Sequence, residues 1–189
     1  MKIFAGSTAL RMVCALLAVG LVSGAFLVLV YNYATPKIEV NKKSETKKAI
    51  MDIFPDAKDI KDMHNEEIFS VKDASGKILG YAFTAEGNGY QGTIKMLAGA
   101  NADLTSMKGI EVLESQETPG LGAEIAEDKF RGQFNGLSIT HDIEYVKNKK
   151  PEKPYEIEAI TGATISSRSV VSILNEEIER VRKFLKEQR

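Results

Sequence analysis

The chain has 189 residues, of which 25 are Lys or Arg and 26 are Asp or Glu. This length fits one compact domain plus a short anchor, because single domains commonly have about 100–200 residues. A chain that is almost neutral has no long-range positive field, which argues against a nucleic-acid partner. Its single cysteine, Cys14, excludes an internal disulfide, a CxxC redox pair and a cysteine-based zinc site, so redox chemistry would need a bound cofactor.

The first predicted element is a transmembrane helix. Residues 12–30 contain no charged side chain, and about 20 apolar residues span the hydrocarbon core of a bilayer. Tyr31 and Tyr33 follow where an aromatic interfacial belt would lie. We therefore predict a short cytoplasmic N-terminus over residues 1–11 and an anchor over residues 12–34.

Two features of this segment leave alternatives open. Ser23, Gly24 and Ala25 are the small residues that a signal peptidase needs, so a cleaved signal peptide is the competing interpretation. Basic residues lie on both sides of the apolar run, and the positive-inside count is equivocal. We predict a single-pass protein of the inner cell membrane with its domain on the extracytoplasmic side.

One domain is predicted beyond the anchor. Residues 35–50 are predicted as a juxtamembrane linker and the start of a short helix that ends before Pro55, and residues 51–189 as the domain. Alternating patterns and turn residues predict strands at 68–72, 78–84, 93–98, 109–114, 139–146 and 155–160. A short helix is predicted over 127–134. The last helix carries apolar side chains at three- and four-residue spacing, at Val170, Val171, Leu174, Ile178, Val181 and Leu185. Strands joined by short turns with flanking helices indicate an α+β domain around a mainly antiparallel sheet.

The most informative stretch leads from the last predicted strand into the last helix. It contains Thr161, Gly162, Ala163 and Thr164, followed by Ile165, Ser166 and Ser167. The first turn of a helix offers unpaired N–H groups and a partial positive charge, which together suit a phosphate. The same composition is also typical of a structural cap formed by Thr164, Ser166 or Ser167.

This stretch resembles the flavinylation motif, Ser or Thr followed by Gly-Ala-Thr, of the FMN-binding domain family. The resemblance implies that a flavin transferase moves FMN from FAD onto Thr164 and links it through its phosphate, with Thr161, Gly162, Ala163 and Ser166 as immediate neighbours. That family usually has Asp three residues before the motif, where this chain has Glu158.

Two further stretches carry the same resemblance. The loop Glu117-Thr118-Pro119-Gly120-Leu121-Gly122 is similar to one that packs against the isoalloxazine ring in the family, and Pro119 with its two glycines lets backbone lie flat on a planar ligand. Gly89-Tyr90-Gln91-Gly92 resembles the family's Gly-Tyr-x-Gly. Tyr90 is expected either to stack near the flavin or to fill the core. His64 and His141 have no metal-site spacing and are predicted to be surface residues.

The resemblance covers nearly the whole chain, whose architecture is similar to that of the G subunits of Rnf electron-transport complexes. It implies an electron-transfer subunit that works with other membrane subunits in coupling ferredoxin:NAD⁺ electron transfer to Na⁺ or H⁺ translocation. The chain alone would be a relay. The alternatives are a membrane-tethered flavin domain serving an extracellular reductase, and a non-catalytic anchored binding or assembly module.

Overall fold

The computed structural model describes residues 3–65 and 67–188. The chain divides into two compact units, the first ending at Ser44 and the second beginning at Glu45. The second unit therefore starts six residues before the predicted boundary at residue 51. The reason is that Ala49 and Ile50 are buried in its core.

Helix α1, Ile3–Ile53, contains the apolar segment. By length and composition the part Thr8–Ile53 is long and apolar enough to cross a membrane, a property that a signal sequence shares. Residues 36–44, predicted as a linker, are helical in the structure even though Pro36 lies inside the helix. Proline removes one helical N–H, and next to it the Thr35 hydroxyl donates to the carbonyl of Tyr31 at 2.8 Å.

The second unit is built on a five-stranded antiparallel sheet in the order β1-β2-β3-β4-β5. Its strands are β1 Asp59–His64, β2 Ile68–Lys72, β3 Ile78–Asn88, β4 Thr93–Asn101 and β5 Met107–Ser115. The predicted mainly antiparallel sheet is confirmed. Strand β1 was not predicted, because it is a charged edge strand whose side chains are mostly exposed and which therefore lacks an apolar alternation.

Both faces of this sheet are covered by other parts of the chain. Because successive side chains of a strand point to opposite faces, neighbouring strand residues belong to different apolar clusters. One face packs against the end of α1 and against Phe54, with Val71, Ala82 and Leu97 contributed by the strands. The larger cluster on the other face includes Phe83 and Met96 and is closed by the last helix. That helix, α3 at Thr164–Glu187, buries the predicted apolar positions Val170, Val171, Leu174, Ile178 and Val181 and partly buries Leu185.

A second, two-stranded sheet lies immediately before the candidate motif. The predicted strands at 139–146 and 155–160 are reduced to β6, Glu144–Val146, and β7, Glu156–Glu158, which pair in parallel. Where a longer strand would have formed backbone hydrogen bonds, the side-chain amides of Gln133 and Asn175 bind backbone groups instead. Gln133 accepts from the N–H of Glu158 at 2.7 Å and donates to its carbonyl at 3.1 Å, and Asn175 does the same for Ile143 at 2.8 and 3.0 Å.

The helix predicted over 127–134 is split into two pieces. Helix α2 covers Asp128–Arg131, and a 3₁₀ turn follows at Gly132–Phe134. Another 3₁₀ turn, Gly122–Ala126, follows the loop at residues 117–122 that the sequence singled out, called here the Pro-Gly loop. Phe130 and Phe134 pack edge to face in the core with ring centroids 5.5 Å apart. These two rings hold residues 128–134 against β5.

Candidate functional site

Three stretches identified in the sequence meet at one carboxylate, that of Glu117. Its Oε1 accepts hydrogen bonds from the backbone N–H groups of Tyr90 at 2.6 Å and Gln91 at 3.1 Å. Its Oε2 accepts from the hydroxyl of Ser166 at 2.7 Å. Glu117 is only 6% exposed. A buried acid therefore joins residues 89–92, called here the tyrosine loop, to the Pro-Gly loop and to the first turn of α3.

The loops approach this carboxylate closely enough that only glycine fits beside it. A Cβ atom on Gly89 would lie 2.2 Å from Oε1 of Glu117, and one on Gly122 would lie 2.4 Å from Oε2. Contacts under 3.0 Å are not found between real Cβ atoms and their neighbours. The glycines of both stretches therefore serve the packing around Glu117.

Thr164 is the first residue of α3 and is half-buried. The N-cap is Ala163, without a side-chain cap hydrogen bond, so the cap that composition alone suggested is absent at this helix. Within the described part of the chain, neither the Thr164 hydroxyl nor the N–H groups of Thr164, Ile165 and Ser166 have a hydrogen-bond partner. A nucleophilic oxygen thus lies beside three available donors.

The turn before Thr164 is held in place from both sides. The hydroxyl of Ser167 donates to the carbonyl of Ala163 at 3.1 Å and accepts from the N–H of Ile160 at 3.0 Å. Gly162 has φ +83°, a left-handed conformation that glycine adopts without strain. Its hypothetical Cβ would lie 3.3 Å from Cδ2 of Leu121, so the Pro-Gly loop borders the motif directly.

Three large apolar side chains remain exposed on the segments that meet here. Tyr90 is 64% exposed, Leu121 46% and Ile165 45%. The exposure of Tyr90 excludes the alternative in which it fills the core. Single exposed apolar residues are ordinary on protein surfaces, but these three belong to the three stretches that Glu117 joins.

The remaining predicted site residues fall into two groups. Thr161, Gly162 and Gly120 are exposed, whereas Ala163 is buried and Thr118 is half-buried. The carbonyl of Thr118 accepts from the N–H groups of Leu121 at 3.2 Å and Ala123 at 3.0 Å, which closes the Pro-Gly loop on itself.

Sequence reasoning missed Ile165 and Gln116. Ile165 is an exposed apolar residue on an otherwise amphipathic helix, which was the available signal. Gln116 has no sequence signal, and it lies against the tyrosine loop, because a Cβ on Gly92 would be 2.4 Å from its Oε1.

The site does not resemble a metal or acid–base centre. Over residues 3–65 and 67–188, no group of three or more His, Cys, Asp or Glu side chains is placed to hold a metal ion. His64 and His141 are exposed, as predicted. Glu158 ends β7 and is half-buried. What the site offers is a hydroxyl, free N–H groups and exposed apolar side chains on the segments that Glu117 joins, which suit a phosphate attached to a planar group.

Known proteins resemble this chain in sequence and in fold. The model of the FMN-binding domain family matches residues 89–179. The chain is 30% identical over 181 residues to the G subunit of the ion-translocating oxidoreductase complex of Methanosarcina acetivorans, covering 90% of this chain and 93% of that protein. It is also 30% identical over 169 residues to the G subunit of the proton-translocating ferredoxin:NAD⁺ oxidoreductase complex of Clostridium ljungdahlii, covering 86% of each.

Among solved structures, the C subunit of the Na⁺-translocating NADH-quinone reductase of Parabacteroides distasonis matches with a TM-score of 0.56 and 27% identity, over 62% of this chain and 61% of that one. The solved structure and the sequence relatives are thus all subunits of ion-translocating oxidoreductase complexes. The chain therefore belongs to the FMN-binding domain family and, within it, to the G subunits of ion-translocating oxidoreductase complexes.

Proposed function

We propose that this chain is the electron-transfer subunit of an Rnf-type membrane complex that couples ferredoxin:NAD⁺ electron transfer to Na⁺ or H⁺ translocation. It carries one FMN, esterified through its phosphate to the hydroxyl of Thr164 by a flavin transferase. Relatives named as the G subunits of a Na⁺-translocating and of a proton-translocating ferredoxin:NAD⁺ oxidoreductase complex support this role. The other membrane subunits are its partners, and the chain alone is a relay.

One observation carries the assignment of the attachment site. The hydroxyl of Thr164 and the first three N–H groups of α3 have no partner within the described residues, although they lie between segments that are themselves well bonded. A phosphate ester at this oxygen would receive hydrogen bonds from those N–H groups and the favourable end of the helix dipole. A structural cap would instead have used the hydroxyl.

The surrounding residues have distinct roles in this proposal. Thr161, Gly162 and Ala163 form the turn that presents Thr164, with Ser166 fixing the first helical turn from inside. Tyr90, Leu121 and Ile165 border the ring, and Thr118, Gly120 and Gly122 shape the loop between them. Bound FMN supplies reversible electron transfer, while these residues hold and orient it.

The proposal places the flavin domain on the extracytoplasmic side of the inner membrane, behind a single span. Outside the cytoplasm there is no reliable pool of free flavin, so an ester bond would prevent loss of the cofactor by dissociation. The only cysteine, Cys14, lies in the apolar segment, so the domain has no disulfide that could take electrons from the flavin.

The test is co-expression of the full chain with a flavin transferase. We expect a fluorescent band on a denaturing gel and the mass of one added FMN in the intact protein, both lost in Thr164→Ala. The matched control is Thr140→Ala, which removes an exposed threonine hydroxyl outside the three stretches and should leave the label unchanged. A label that survives in Thr164→Ala would refute the site, and an unlabelled wild-type chain would refute the covalent cofactor.

A further inference from the structure

Among the described residues, the buried carboxylate of Glu117 has no Lys, Arg or His side chain as an ion-pair partner, which buried acids usually have. Ion pairs of the described residues do not include it, and its three hydrogen bonds all come from neutral donors: two backbone N–H groups and one hydroxyl. Removing a charge from water is costly unless it is paired and hydrogen-bonded. An arrangement of this kind needs all three donors to be in place.

The donors come from two stretches of the chain that both lie far from Glu117 in sequence. Tyr90 and Gln91 precede Glu117 by 27 and 26 residues, and Ser166 follows it by 49. The carboxylate therefore closes long-range contacts between stretches that have no other hydrogen bonds to one another among the described residues. Because it is buried, water does not readily take the place of a missing donor.

We propose that Glu117 is a positioning residue that assembles the flavin site before FMN is attached. This inference rests on the proposed function and changes the role predicted for Glu117 from ring contact to clamp. Both carboxylate oxygens face the protein interior and its own donors. The clamp sets the tyrosine loop and the Pro-Gly loop against the first turn of α3, so that the attachment site exists in the unmodified chain.

The link to Thr164 passes through one helical turn. Ser166 is the third residue of α3 and Thr164 the first, so fixing the Ser166 side chain fixes the direction in which the free N–H groups point. The helix has no acid in its own first turn, and Glu117 supplies a negative charge at that end from another segment. Without it the first turn would sample other orientations, and the modification rate would fall with the competent fraction.

Three variants separate shape from charge. Glu117→Ala removes all three hydrogen bonds. Ser166→Ala removes only the bond to the helix. Glu117→Gln keeps the size of the side chain, an acceptor for the two N–H groups and a polar partner for Ser166, but removes the charge. The control outside the site is Glu156→Gln. Glu156 is 7% exposed against 6% for Glu117, and it accepts from two backbone N–H groups, those of Glu152 and Lys153, while also pairing with the Lys153 ammonium.

The first experiment measures the rate of FMN addition to each full-length chain by intact mass, with limiting transferase, at a temperature where every chain is folded. Since a hydrogen bond to a charged group corresponds to roughly a tenfold or larger change in an equilibrium, we expect Glu117→Ala to be modified about tenfold more slowly. Ser166→Ala and Glu117→Gln should both be intermediate, because the first loses one hydrogen bond and the second keeps acceptors but loses the charge, and Glu156→Gln should be close to wild type. Glu117→Ala modified at the wild-type rate would overturn the clamp.

The second experiment needs no flavin. Amide hydrogen exchange on the unmodified full chain should show faster exchange at the N–H groups of Tyr90 and Gln91 in Glu117→Ala than in wild type, with no change there in Glu156→Gln. Unchanged exchange would overturn the clamp even if FMN were never attached. An unlabelled wild-type chain with the expected exchange pattern would instead refute the proposed function and leave the clamp standing.

Discussion

Gly122→Ala is the sharpest structural perturbation of the site. Gly122 does not need a left-handed backbone, so alanine adds no conformational strain there. Its Cβ would instead lie 2.4 Å from Oε2 of Glu117 and 2.6 Å from Oγ of Ser166. These two oxygens are themselves 2.7 Å apart in a hydrogen bond. The methyl group therefore cannot be accommodated unless that bond opens.

The expected cost follows from these contacts. A hydrogen bond to a charged group contributes about 1.5–3 kcal/mol, and overpacking a filled site costs about 1–3 kcal/mol. With partial relaxation we expect a loss of about 3 kcal/mol in the free energy of unfolding, which for a domain of this size lowers Tm by about 6–12 °C. Calorimetry of the unmodified full chain in detergent measures this shift.

Gly120→Ala is the matched control in the same loop. Gly120 has φ +72° and nothing within 4 Å of a hypothetical Cβ, so alanine there introduces backbone strain without a clash. This strain amounts to about 1 kcal/mol, or about 2–4 °C in Tm. If Gly122→Ala melted within about 2 °C of Gly120→Ala, the close packing of the Pro-Gly loop on the Glu117–Ser166 pair would be refuted.

Two other predictions concern pH and topology. The N–H of Glu152 holds the pKa of Glu156 below its ordinary value of 4.5. A depressed pKa stabilises the folded chain above 4.5, and this contribution is lost as the pH falls through the folded-state pKa. The Tm difference between wild type and Glu156→Gln should shrink from pH 7 to pH 3; a constant difference would contradict it. For topology, Lys149→Cys in a Cys14→Ser chain should react with an impermeant maleimide on intact spheroplasts, whereas labelling only after lysis would put the domain in the cytoplasm.

The sequence predicted the central strands and the last helix because their patterns are local. Strand β2 begins and ends as predicted, and the apolar positions of α3 are buried. One strand was missed and another was predicted too long, each for a physical reason. β1 is an edge strand whose charged side chains face solvent, so it leaves no alternating apolar pattern. Of the strand predicted over 139–146 only Glu144–Val146 forms, because the rest is held by the amide of Asn175 and by isolated backbone bonds, which a local pattern does not distinguish from strand pairing.

In the candidate site, too, the local features could be predicted from the sequence and the long-range contact could not. Thr164, the Pro-Gly loop and the tyrosine loop were each found from short stretches of sequence. What joins them was not, because the bond from Ser166 to Glu117 spans 49 residues and depends on how the Pro-Gly loop and the turn after it pack against α3. A glutamate next to a Pro-Gly turn has no local feature that distinguishes a buried clamp from an exposed ligand contact.

The proposed ester changes what the rest of the site must do. A cofactor held only by contacts needs a pocket that encloses most of its surface, whereas one fixed by a bond needs only to be oriented. The exposed side chains of Tyr90, Leu121 and Ile165 fit the second requirement, and a flavin held beside them would stay accessible to a neighbouring carrier. Orientation would then depend on how rigidly the three segments are joined, which is the role proposed for the buried carboxylate of Glu117.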